Sequence, residues 1–134
     1  MGIFDIFKGK KDGSRAIAAE MKRKKEIFEL LYDCQNNFDL IKNAFEAVRT
    51  DILKETDVAI ERREELFEDV KAKTIQKLTE LKTQVDGYVE KFKKEAEPAD
   101  TVKMMKISDA VGKEIEKMNT VTLANGPTGP AGPQ

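Results

Sequence analysis

Residues 27–52 read IFELLYDCQNNFDLIKNAFEAVRTDI, and their spacing decides the fold class. The apolar side chains stand at Ile27, Leu31, Cys34, Phe38, Ile41, Phe45, Val48 and Ile52, in alternating steps of four and three. On a helix that alternation lines up a single apolar seam. Left in water, a seam forfeits its hydrophobic free energy, so it needs a partner, either another part of the chain or another copy. Leu30, Ala44 and Ala47 widen the face, and Phe38 and Phe45 are bulky for a two-stranded core. About three apolar positions per heptad predict an all-α bundle of three or more helices.

Between Arg15 and Asp86 there is neither Gly nor Pro. One unbroken helix over that span would be about 108 Å long, which suits a coiled coil, fibre or filament rather than a compact domain. Past Ile52 the strict heptad lands on Glu55, Ala59, Arg62 and Leu66, whereas a shifted frame gives Leu53, Thr56, Ile60, Arg63, Phe67 and Val70. The stripe recovers at Leu78, Leu81, Val85, Tyr88 and Phe92. A frame shift without a breaker predicts a stutter in a continuous or gently bent helix. The alternative is a helical hairpin with its corner near Thr50-Asp51 or Thr56-Asp57, where Thr or Asp caps the second arm.

The helix is expected to end near Glu95, because Glu97-Pro98-Ala99-Asp100 interrupts it. A shorter helix follows, capped by Asp100 or Thr101, with Met104, Ile107, Val111, Ile115 and Met118 on one face. It folds back on the long helix or on a neighbouring copy. Val121-Thr122-Leu123 reads as a short extended piece. The triplets Gly126-Pro127-Thr128, Gly129-Pro130-Ala131 and Gly132-Pro133-Gln134 resemble the collagen-like repeats of bacterial and viral surface fibres. The alternative for these nine residues is a polyproline-II-like tail.

Upstream, residues 1–12 read MGIFDIFKGKKD. On a helical wheel Ile3, Phe4, Ile6 and Phe7 fall within about 160°, with Asp5 and Lys8 opposite. With Lys8, Lys10 and Lys11 they make a candidate docking segment for an anionic membrane, the protein's own bundle or a partner protein. Gly9 and Gly13 bracket a Lys-rich link, and Ser14 is a candidate N-cap. The chain thus divides into a basic amphipathic leader (1–13), a heptad-bearing helical region (14–96), a second helix (97–119) and an extended Gly-Pro-rich tail (120–134).

The net charge of −1 conceals an asymmetry. Residues 1–25 carry eight Lys and Arg against three Asp and Glu, a net of +5, and the remainder carries −6. A basic head seeks an anionic surface or the acidic body of a neighbouring copy. The run Lys22-Arg23-Lys24-Lys25 has no interleaved aromatics, which argues against nucleic acid.

Enzymatic chemistry finds no purchase. There is no His, and the single Cys34 has no imidazole to activate it. Glu-x-x-His metal ligation and phosphate-binding glycine loops are missing, so no catalytic residue, metal site or cofactor is assigned. Glu61, Glu64, Glu65, Glu68 and Asp69, interleaved with Arg62, Arg63 and Lys71, read as a solvated helix face. No apolar run reaches the length of a membrane span, and a classical signal peptide is not apparent. The expected setting is the cytoplasm, the surface of a membrane or an assembled particle.

A phenylalanine-bearing amphipathic leader, a basic first helix and a long helix together resemble, in outline, the membrane-remodelling filament proteins of the ESCRT-III and phage-shock type. The seam, the apolar arc of about 160° and the +5 head themselves point to a non-enzymatic scaffold that self-assembles through the seam Ile27–Ile52 and docks its N-terminus on an anionic membrane. The alternative is a structural component of a virus or phage particle or a fibre, in which a trimeric bundle leads into the collagen-like tail.

Overall fold

A computed structural model describes residues 11–124, with side chains from residue 15 onward. The leader as far as Lys10 and the Gly-Pro triplets lie outside the described residues. Three helices account for nearly all of the rest: α1 Lys11–Lys54, α2 Ile60–Glu95 and α3 Pro98–Thr120. Among the described residues there is no strand.

The continuous helix expected across residues 52–60 is not what forms. The chain reverses through residues 55–59, so the hairpin is the correct alternative, with its corner at Thr56-Asp57. Glu55 N–H donates to the Ile52 carbonyl at 3.2 Å and Val58 N–H to that of Glu55 at 3.1 Å, tightening the turn. Neither Thr56 nor Asp57 caps α2: Ala59 occupies that position, with φ −56° and ψ 144° and no side-chain cap. The driving force is therefore burial rather than capping. A straight continuation would set Glu55, Ala59, Arg62 and Leu66 on the seam, two of the four charged. Reversal brings Phe67 against Phe45, with ring centroids 5.7 Å apart and planes inclined at 54°. Burying each such side chain is worth roughly 1.5–3 kcal/mol, more than a single cap supplies.

The second reversal takes only Ala96 and Glu97. Proline excludes helical geometry at the residue before it, and Pro98 suits the first turn of the next helix. Glu97 accordingly adopts an extended conformation and is the N-cap of α3. Asp100 and Thr101, expected as caps, instead lie inside α3 and are buried. The Thr101 hydroxyl, 3.2 Å from the carbonyls of both Phe92 and Glu97, ties α3 to the last turn of α2. Ser14 and the Lys11–Gly13 part of the expected link likewise lie within α1 rather than before it.

The helices run up, down and up. At one end Lys24 of α1 pairs with Glu97 at 2.8 Å, and at the other Arg49 reaches the chain beyond α3. The core joins Ile27, Cys34, Phe38, Phe45 and Ile52 of α1 to Phe67, Leu78, Leu81, Val85, Val89 and Phe92 of α2 and Met104, Ile107, Val111 and Met118 of α3. The α2–α3 interface is the most extensive and α1–α3 the least. Across α2–α3 the Lys82 ammonium donates to Ser108 Oγ at 3.0 Å and to Asp86 at 3.2 Å, and the Ser108 hydroxyl donates to Asp86. Gly112 lies beside this bridge, where a Cβ would stand in ordinary contact with Lys82 Cε at 3.4 Å.

Candidate docking surface

The seam's partner is supplied by α2 and α3 of the same chain. Ile27, Cys34, Phe38, Phe45 and Ile52 are buried, Leu31 and Ile41 are half-buried against the core, and Val48 remains exposed. The buried line passes from Ile27 and Cys34 to Phe38, Phe45 and Ile52, so the two heptad positions do not share burial equally.

Cys34 is 2% exposed, and burial, with a smaller contribution from the Asp33 carboxylate, pushes its thiol up to about 11. It packs as a small apolar group rather than a nucleophile.

Two features at the N-terminal end of α1 belong together. The first is an overhang. Lys24 meets the α2–α3 turn at Glu97, whose carboxylate holds the Lys24 ammonium above its ordinary range through their hydrogen bond. Over 15–26 no residue is buried, so α1 projects beyond that turn by about 20 Å, counted from Lys11 to Lys24. Residues 11–25 carry six Lys and Arg against two acids. Arg23 pairs with Glu20 and Lys25 with Glu29 along the helix, whereas Arg15 and Lys22 are exposed beside them.

The second is an apolar stripe off the seam. Met21, Phe28 and Tyr32 are 64%, 54% and 69% exposed. They stand at steps of seven and four, about 110° around α1 from the seam, with Lys25 at the stripe's edge and Lys22 and Arg15 about 100–120° further around the helix. Sequence reasoning passed over this stripe because the stronger seam masked it, although a helical wheel of residues 17–32 separates the two. Of the docking residues expected from sequence, Ile3, Phe4, Ile6, Phe7, Lys8 and Lys10 lie outside the described residues, and Lys11 opens α1.

The other end of the molecule has opposite character. Exposed Glu61, Glu64, Glu65, Glu68 and Asp69 gather on the first turns of α2, beside the hairpin corner. Here the C-terminal segment is fastened to the bundle. Val121 and Leu123 are buried, Arg49 donates to the Leu123 carbonyl at 2.8 Å, and Lys71 donates to the Val121 carbonyl at 3.1 Å. Leu53, Ile60, Phe67 and Leu123 line a recess beside this exit.

Among the described residues no helix is long and apolar enough to cross a membrane, and no group of three or more His, Cys, Asp or Glu is placed to hold a metal ion. No protein-family model matches the chain, and neither a curated protein nor a solved structure shows significant similarity to it.

Proposed function

We propose that this protein is a non-enzymatic helical scaffold that docks on an anionic membrane surface through its basic N-terminal end and self-assembles there. The observation that carries the reading is the N-terminal part of α1, where a basic overhang bearing Arg15 and Lys22 runs into the exposed stripe of Met21, Phe28 and Tyr32, with Lys25 at the stripe's edge. An exposed apolar stripe edged by cations suits the boundary between lipid headgroups and acyl chains, where apolar burial and attraction to anionic lipid act together. The leader, with Ile3, Phe4, Ile6 and Phe7 followed by Lys8, Lys10 and Lys11, adds the same chemistry immediately upstream.

The test is co-sedimentation with vesicles of phosphatidylcholine alone and of phosphatidylcholine with phosphatidylserine. Binding is expected only to the anionic vesicles and weakens as salt rises. Phe4→Asp with Phe7→Asp, and separately Lys22→Glu with Lys25→Glu, should each abolish or strongly weaken it. Equal binding by wild type and both variants would sink the membrane reading. Salt-sensitive assembly without lipid, lost in the Lys variant, would instead assign the basic end to the acidic hairpin corner of a neighbouring copy.

A second reading, a component of a particle or fibre, is favoured by the fastened exit at Leu123. Arg49 and Lys71 hold the chain at a defined place just before the Gly-Pro triplets, as a stalk needs. A trimer in sedimentation equilibrium would support it.

A further inference from the structure

Resting on the self-assembly half of that proposal, we infer that the open groove between α1 and α2 is the seat of a second copy of this chain, with the two α1 helices crossing antiparallel at Ala44. The core of the bundle leaves one strip of α1 uncovered. Leu40 is 57% exposed and Val48 37%, Ala44 lies between them, and Ile41 is half-buried below. With Val70, Lys73, Thr74 and Lys77 of α2 these residues line a single groove. Leu66, also exposed, stands one turn before Val70. The groove continues past Asn37 toward Gln84, with Lys77 on its lip throughout.

The shape suits an isologous contact, in which one patch meets its own copy. A small residue at the centre of Leu40-x3-Ala44-x3-Val48 lets two helices approach closely, and the larger residues on either side pack across the seam. The charges also match. Crossing two copies antiparallel at Ala44 sets Asp51 of each, seven residues on, level with Asn37 of the other, where Lys77 lines the groove together with Glu80, whose carboxylate accepts from Gln76 on its own helix. Lys73 already pairs with Asp69 at 3.2 Å, but among the described residues neither Asp51 nor Lys77 has an ion-pair partner within the chain. The symmetric dimer pairs them twice.

The segment Ile3–Phe7 cannot fill this groove in its own chain. Lys11 and Leu40 are separated by about 44 Å along α1, whereas ten extended residues span at most about 36 Å. Residues 125–134 offer only Gly, Pro, Ala and small polar side chains to an apolar strip.

Sedimentation equilibrium of the full chain, paired with circular dichroism, tests the inference. Wild type is expected to be a dimer. Ala44→Arg, and independently Leu40→Gln with Val48→Gln, should raise the dimer dissociation constant at least about tenfold while helicity is retained. Asp51→Lys and Lys77→Asp should each weaken the dimer, and the two together should restore it. A wild-type oligomer untouched by Ala44→Arg and by the Leu40/Val48 pair overturns the groove and leaves self-assembly standing. A wild-type monomer overturns the groove as the seat of a second copy, and a trimer or failure of the charge swap to restore affinity overturns the antiparallel crossing.

Discussion

The Arg49 guanidinium, on α1, holds the backbone carbonyl of Leu123, 74 residues later in the chain, with an Nη1 hydrogen bond of 2.8 Å. Its other nitrogens face Glu46, which keeps Arg49 extended along the helix instead of turned into solvent. Lys71 from α2 takes the Val121 carbonyl. Two cations from two helices thus satisfy carbonyls of the segment that follows α3.

Arg49→Met should therefore release the Val121–Ala124 segment while leaving the three helices intact. Hydrogen bonds to a charged group are worth about 1.5–3 kcal/mol. Limited proteolysis should cut after α3 faster in the variant, with an unchanged circular dichroism spectrum. Unchanged proteolysis would show that Val121 and Leu123 are held by apolar burial alone.

Phe38→Ala with Phe45→Ala should lower stability and helicity together. Each truncation of a buried Phe costs about 3–5 kcal/mol, against a total of about 5–15 kcal/mol for a domain of this size. Phe45 carries the added contact with Phe67 across the hairpin. Glu64→Gln with Glu68→Gln, on the exposed face, should change the urea midpoint little.

The raised Cys34 thiol predicts an alkaline loss of stability. The folded state holds the thiol proton up to about pH 11, while the unfolded chain releases it near the ordinary 9.0. The folded state thus binds the extra proton between those values, and its stability is complete below the lower one and falls as pH rises through the upper. Two pH units correspond to about 2–3 kcal/mol. Cys34→Ala lacks this dependence, so the stability gap between wild type and variant should narrow from pH 8 to pH 10.5 in urea melts. A constant gap would refute the assignment.

Asp86 is held below its ordinary carboxylate range, chiefly by the Ser108 hydroxyl and then by Lys82, with burial opposing. Its contribution to stability is present above its unfolded pKa and disappears as pH falls through the folded one. Ser108→Ala should move the Asp86 carboxyl titration upward, as followed by NMR. No movement would leave Lys82 as the dominant partner.

Gly87 lies exposed inside α2 with nothing within 4 Å of where a Cβ would stand. Gly87→Ala should therefore stabilise the protein by about 0.5–1 kcal/mol, through helix propensity and a less disordered unfolded chain. A higher thermal midpoint checks it.

Periodicity alone determined most of the helical content and most of the core. The seam from Ile27 to Ile52, the stripe from Leu78 to Phe92 and the face from Met104 to Met118 each lie toward the bundle interior, because apolar spacing at helical period leaves one side to bury. Pro98 marked the second reversal for an equally local reason, its exclusion of helical geometry at Glu97. Only the tertiary structure decided the first reversal. Nothing between Ile52 and Ile60 forbids a helix, and Ala59 caps α2 without a side-chain bond, so the choice falls to Phe45 meeting Phe67. The same holds for burial within the seam. Ile27 and Val48 are equivalent on a heptad wheel, yet one is 6% exposed and the other 37%, since α2 and α3 cover α1 from one side. The free strip at Leu40, Ala44 and Val48, and the stripe at Met21, Phe28 and Tyr32, are what that one-sided covering leaves over.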